Sequence, residues 1–435
     1  LIADPATDQF EFCKHLYNQA NANKDERNRN VSYRRLIPRL QNYIKRFPNH
    51  PNAAAVLYYL GESYYYLGSL DEAKRVLHRV VNRYREGRYV ALASNRLGYD
   101  AVANKKYAQA AVHFERVATM STTIQERYRG RYQQASCYRY ANMVDEAISA
   151  YSKIESADDA LVLYRQHAIL KLGHLYLDKK NNDKALEKFE AIMLPFVVAD
   201  VRIEATLNAG IIYLEQKKND LAENAFKAVI LSEENKFKPS AQAALMNVMY
   251  SQKNYQGVLD VIRRGSHKGE AATEAMKFNV AGRSAYKLKE YHEAIKHFAQ
   301  AERQVPLSAK AFEAGYFRML CFFNIQGVNL PMQVDAFLEI YQQRYPKHEY
   351  VHKSLMLKAE TLFDQKKYRE AAAAYNKIDV TKIGDANFGI FEQRDIDIIQ
   401  HLTNRPWWSK QRFKVGYGGF AKTANRMDAV REIVR

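Results

Sequence analysis

The chain has 435 residues with 18 glycines and only 10 prolines, too few turn formers for a β-rich fold, and so it reads as all-α. Lysine and arginine exceed aspartate and glutamate by 18, a surplus that draws in anionic partners such as acidic proteins, lipid headgroups, cell-wall polymer or nucleic acid. The 3 cysteines have neither a disulfide framework nor a metal-ligand spacing, and no apolar run is long enough to span a bilayer.

Residues 1–30 are expected to supply an N-terminal helix and loop that complete a first hairpin. Leu36, Leu40 and Tyr43 have the spacing of its second helix and run into Phe47-Pro48. From Gly61 onward a motif returns every 36 to 40 residues: a small residue, Ala twelve positions on, and an aromatic or Leu four after that. It reads Gly61, Ala73, Leu77; Gly98, Ala110, Phe114; Ala135, Ala147, Tyr151; Gly173, Ala185, Phe189; and Gly210, Ala222, Phe226. Around Val258 and Ile262 the unit has Met246 in place of the small residue; Gly282, Ala294 and Phe298 restore the pattern. A further second helix holds Val334, Leu338 and Tyr341, after a turn lengthened by Gln326-Gly327-Val328-Asn329-Leu330-Pro331. Ala359, Ala371 and Tyr375 close the array, whose second helices run from Leu36 to Ala371.

A fixed period of this length marks a solenoid of helical hairpins, none of which buries its apolar face alone. Residues 31–381 are assigned to it, and hairpins stacked with a constant small rotation are expected to coil into a right-handed superhelix. The small residue and the Ala let two helices approach closely, and the aromatic fills the space between one hairpin and the next. Polar turns such as Asn104-Lys105-Lys106-Tyr107 and Gln365-Lys366-Lys367-Tyr368 separate the two helices. Five residues before each second-helix anchor stand Lys105, Lys180, Lys217, Lys253, Lys289 and Lys366, which puts one ammonium per hairpin along an edge. Two readings apply: a lysine suits the negative end of a helix dipole, and a row of one sign attracts an anionic surface or polymer.

Leu60-Gly61-Glu62-Ser63-Tyr64, Leu172-Gly173-His174-Leu175-Tyr176 and Tyr291-His292-Glu293-Ala294 with Phe298 resemble tetratricopeptide repeats. The resemblance implies a scaffold that binds other proteins or extended peptides, with first helices lining a groove. By register the groove residues are Tyr58, Glu62, Tyr65, Asn95, Tyr99, Tyr132, Arg139, His174, Asn247, Asn279 and Arg283. Arg46-Phe47-Pro48-Asn49-His50-Pro51 and Arg344-Tyr345-Pro346-Lys347-His348 are similar to junctions in bacterial cell-envelope tetratricopeptide proteins, the class of outer-membrane assembly lipoproteins and the Tol-Pal coordinator. That resemblance implies a place in the periplasm or on the periplasmic face of the outer membrane. An N-terminal signal or membrane anchor upstream of Leu1 would agree with it; a cytoplasmic start would favour nucleic acid instead.

Residues 382–435 are expected to form a C-terminal cap and a basic aromatic tail. Ile396, Ile398, Ile399 and Leu402 have the pattern of a covering helix. Beyond it, Trp407 and Trp408 lie among Arg405, Lys410, Arg412, Lys414, Lys422 and Arg426 with no acidic residue. Such a tail stacks on single-stranded nucleic acid or covers the last hairpin, and the second reading is preferred.

For catalysis the sequence offers little. His348-Glu349-Tyr350-Val351-His352 has the spacing of a zinc hydrolase helix, yet Leu355 and Lys358 occupy the places of the extended motif, and Glu370, a candidate third ligand, belongs to the Glu-Ala turn of the repeat. No phosphate loop or nucleophile elbow is present, and neither metal nor cofactor is expected.

Overall fold

The computed structural model describes residues 4–378, apart from 234, 266 and 376. The cap and tail expected over 382–435, with Trp407 and Trp408, lie outside the described residues, as does the side chain of Tyr375. Among the described residues there are twenty α-helices and no strand. The chain divides at Ala209 into two compact units.

Unit 1 holds α1 (Pro5–Ala22), α2 (Glu26–Arg46), α3 (Ala53–Tyr66), α4 (Leu70–Arg83), α5 (Arg88–Ala103), α6 (Tyr107–Met120), α7 (Ile124–Tyr140), α8 (Val144–Glu155), α9 (Val162–Asp178), α10 (Asn182–Ala191) and the first part of α11 (Ala199–Glu215). Unit 2 continues from α11 with α12 (Asn219–Leu231), α13 (Lys238–Ser251), α14 (Tyr255–Arg263), α15 (Ala271–Lys287), α16 (Tyr291–Gln304), α17 (Ala309–Asn324), α18 (Leu330–Tyr341), α19 (Glu349–Asp364) and α20 (Tyr368–Tyr375). Consecutive odd and even helices form hairpins, so there are ten second helices among the described residues. The degenerate unit around Val258 is a full hairpin: Met246, Val258 and Leu259 are all buried without a small residue at the crossing.

Helix ends follow local chemistry. Asp4 accepts from Ala6 N at 3.1 Å and Pro5 opens α1; Asp25 accepts from Asn28 N at 2.7 Å to open α2. Asn181 and Asn254 cap second helices in the same way, through Lys184 N and Gly257 N.

Within a hairpin the small-residue motif places a ring on a bare backbone. A Cβ added at Gly173 would stand 2.4 Å from Phe189 Cε1, and one at Gly282 would stand 2.7 Å from the Phe298 ring. The aromatic therefore lies across the first helix of its own hairpin, a closer seat than the inter-hairpin gap expected from the sequence. Ala73, Ala110, Ala147, Ala185, Ala222, Ala294 and Ala371 are at most 1% exposed, which settles the register. Each such buried ring contributes about 2–3 kcal/mol. In α7/α8 the ring is Tyr151, and its hydroxyl meets Ser136 Oγ at 2.8 Å, satisfying the one polar atom it brings inside.

Among the described residues, the contacts between hairpins join each hairpin to its neighbour in sequence. In unit 1, α2 packs on α3, α4 on α5, α6 on α7 and α8 on α9, while α3 touches α5 and α7 touches α9. In unit 2, α13 meets α15, α15 meets α17 and α17 meets α19. The aromatic-Pro junctions are packed corners. His50 Nδ1 lies 2.9 Å from Tyr43 OH and its Nε2 3.1 Å from Asp4, and Tyr345 stacks on Phe312 at 4.4 Å.

Candidate functional site

First helices carry the residues expected to line a groove, and most of their polar groups are engaged with the neighbouring first helix. Glu62 on α3 is 2% exposed and accepts two bonds from Arg96 on α5, at 2.8 and 2.6 Å. Burial opposes the Arg96 charge, but the bonds to Glu62 outweigh it and hold the guanidinium protonated more firmly than usual. Arg96 also lies 4.2 Å over the Tyr65 ring. The same step recurs: His174 Nε2 to Glu204 at 2.8 Å, Asn247 Nδ2 to Met276 Sδ at 3.4 Å, and Arg283 to Glu313 at 3.8 Å. In each case the residue following the small position, or its equivalent, reaches the next first helix.

The remaining expected residues divide by exposure. Tyr58 packs against Tyr59 and Tyr89, and Tyr132 sits among Tyr151, Tyr164 and His167; burial raises the pKa of the Tyr132 phenol. Asn279 is buried, and its Nδ2 has no hydrogen-bond partner among the described residues. Asn95 is half-buried beside Arg88 and Arg129. Arg139 lies 5.9 Å from the ring of Tyr140, and Arg283 lies over Tyr250 and Phe317. Four tyrosine rings near the ends of first helices are exposed and accessible to a partner: Tyr65, Tyr66, Tyr99 and Tyr140. Tyr66 and Tyr140 escape the register argument because they sit at the last turn of their helices, and Arg96 because its role depends on a carboxylate 34 residues away.

All six lysines of the expected edge share a backbone feature that the sequence does not announce. Lys105, Lys180, Lys217, Lys253, Lys289 and Lys366 have φ between 57° and 63°, the left-handed region. They follow the ends of first helices in paired closing bonds: Lys289 N to Tyr286 O at 3.0 Å and Glu290 N to Ala285 O at 2.9 Å, for instance. Gly68 and Asn142 take the same place in two other hairpins, and they are the signal that would have revealed it. For an L residue with a long side chain the conformation costs roughly 1 kcal/mol. All six side chains are exposed, and none forms an ion pair with another described residue.

An open cleft of about 1130 Å³ lies over α7 between α6 and α8, lined by Glu115, Arg127, Arg131, Asp145, Lys153 and Asp159 among others. Its charges are mixed, and Arg131 is stacked on Tyr128, whose hydroxyl donates to Asp159. His348 of the zinc-like motif is the N-cap of α19, with extended backbone, and its Nδ1 accepts from Tyr350 N at 3.2 Å. It stands outside the helix that holds His352, so the motif lacks the two-imidazole helical face that zinc requires. No group of three or more metal-ligating side chains occurs among the described residues.

A family model described as tetratricopeptide repeat matches residues 55–86, which span most of α3, all of α4 and the start of the next junction. Residues 55–86 carry a tetratricopeptide repeat. The matched repeat seats the Leu77 side chain on the bare backbone of Gly61, and the hairpins at Gly98, Gly173, Gly210 and Gly282 set a phenylalanine ring in the same place. Among solved structures, one titled for pilF of Pseudomonas aeruginosa is 17% identical, covering 51% of this chain and 95% of that one at a TM-score of 0.39. A tetratricopeptide repeat protein from Parabacteroides merdae is 16% identical, covering 72% and 99% at 0.30. The tetratricopeptide domain of P58(IPK) is 14% identical, covering 92% and 98% at 0.29. No curated protein matches the sequence.

Proposed function

We propose that this chain is a non-enzymatic scaffold that holds extended segments of other proteins against its first helices. Stacked tetratricopeptide repeats offer long continuous surfaces for this purpose. The observation that carries the reading is the set of exposed rings on first helices of unit 1, Tyr65, Tyr66, Tyr99 and Tyr140. Arg96 and Arg139 lie against two of them. Tyrosine supplies large contact area at low entropic cost, and arginine beside it is a frequent anchor of binding energy.

A photo-crosslinking residue placed at Tyr99, and separately at exposed Val112 on a second helix, tests the face used. Adducts to one defined partner at Tyr99 and none at Val112 are expected, with loss of that partner in the Tyr65→Ala, Tyr99→Ala double variant. Equal labelling at both positions would remove the assignment.

Within that reading, the packed aromatic-Pro corners at Phe47-Pro48 and Tyr345-Pro346 support an envelope scaffold on the periplasmic side of a bacterial outer membrane. Fractionation of the native cells decides this: recovery with cytoplasmic markers ends the envelope placement and leaves the scaffold reading standing.

A further inference from the structure

Unit 2 contains four of the left-handed lysines, Lys217, Lys253, Lys289 and Lys366. Glycine and asparagine are the economical residues for such a backbone, and the chain uses both, at Gly68 and Asn142. A dipole-meeting cation has a relaxed alternative one residue earlier, at the cap positions held by Gln252, Leu288 and Gln365. Lysine is absent at those three caps and present where the backbone disfavours it in four of the five hairpins of unit 2, the α17/α18 hairpin having Gln326 in that place. The side chain is therefore retained for its charge at that point on the edge.

The surroundings leave those charges available. Glu290 and Glu293, the acids beside Lys289, are both held by Arg263, at 3.5 and 2.8 Å. Because α13 packs directly on α15, the turns bearing Lys253 and Lys289 are about one helix spacing apart, roughly 10 Å. That is the span of three residues of an extended polypeptide at about 3.3 Å each. Base stacking finds no platform here: Tyr255, Tyr291 and Tyr368, two residues beyond their lysines, are packed on Tyr250, Tyr286 and Phe363 at 5.2 to 5.7 Å.

We propose that the turn edge of unit 2 is a docking surface for an acidic polypeptide segment, whose carboxylates meet the ammonium groups of Lys217, Lys253, Lys289 and Lys366. It is separate from the first-helix face, so either assignment stands if the other fails.

The test uses the full chain and a fluorescent peptide of repeated Glu-Gly-Gly, with oligothymidine and phosphatidylserine vesicles as rival probes. One variant combines Lys217→Gly, Lys253→Gly and Lys289→Gly. A charge-matched control combines Lys45→Gln, Lys236→Gln and Lys310→Gln, exposed lysines at the other ends of their hairpins. The glycine variant is expected to lose at least tenfold in peptide affinity while melting no lower than the parent; the control should change less than twofold. Equal losses in both variants, or no loss in the first, would overturn the proposal. So would a glycine variant that melts several degrees lower, since the lysines would then serve stability. Tighter binding of oligothymidine or vesicles, lost in the same variant, would reject the acidic polypeptide as occupant.

Discussion

At the scale of single residues, the sharpest constraint is the absence of a side chain at Gly173. A methyl group there meets the Phe189 ring at 2.4 Å, and that ring is itself fully buried. Gly173→Ala is expected to lower stability by about 1–3 kcal/mol in thermal or denaturant unfolding, with partial recovery in combination with Phe189→Leu. An unchanged midpoint would show that the crossing is looser than the geometry requires. A second residue-scale effect is titration. Burial, then the nearby His78 and Arg116 charges, push the His113 imidazole down from 6.5 to about 4. Between those values the unfolded chain takes up a proton that the folded one refuses, so stability present above pH 6.5 is lost as pH falls toward 4. Burial also lowers His167 and His297. His113→Gln is expected to flatten the decline in melting temperature between pH 6.5 and 4, and an unaltered slope would assign the acid sensitivity to other groups. The glycine and alanine positions were legible in the sequence because a helix fixes which residues share a face. The backbone of the six lysines was not, since lysine gives no sign of positive φ unless Gly68 and Asn142 are aligned with it.

At the scale of elements, the loop joining α14 to α15 shows how a connection is held without apolar burial of its own. Lys277 on α15 has a fully buried side chain; it pairs with Glu274 at 2.6 Å and donates to the carbonyl of His267 at 2.7 Å. Glu274 in turn accepts from Gly269 N at 2.7 Å. Lys277→Met keeps most of the volume but removes the donor and leaves Glu274 in a poor environment, a loss of about 3–5 kcal/mol for a buried pair broken on one side. Faster tryptic cleavage at Arg263, Arg264 and Lys268 is the expected sign, and parent-like resistance would show the loop is held by other contacts. Sequence periodicity placed this hairpin but not its tether, because a mid-helix lysine reads as solvated surface until the chain wraps over it. The Glu62–Arg96 pair was hidden for a related reason. Glu62 was read as a groove residue, and only the stacking of α5 on α3 brings a guanidinium to it.

At the scale of the whole molecule, each hairpin depends on its neighbours alone, so damage should spread by contact and then stop. Ala110 is completely buried against its hairpin partner, and Ala110→Glu places a charge in that crossing. Hydrogen exchange is expected to accelerate across α5, α6 and α7 while α15 and α16 keep parent-like protection. Uniform loss of protection through the chain would mean that the array unfolds as one cooperative block. Fold class followed from the repeat period together with the scarcity of glycine and proline. The division at Ala209 did not, since it falls inside α11 with no break in the motif to mark it.

The short reach of those contacts also governs how the protein is made. In either unit the helix pairs named above lie within two hairpins of sequence, so their loop-closure entropy is small and the landscape favours fast, local assembly. A hairpin emerging from the ribosome can dock on the one before it as soon as its second helix has cleared the exit tunnel. The exposed apolar face at any moment of synthesis is then limited to the newest hairpin, whatever the final length of the array.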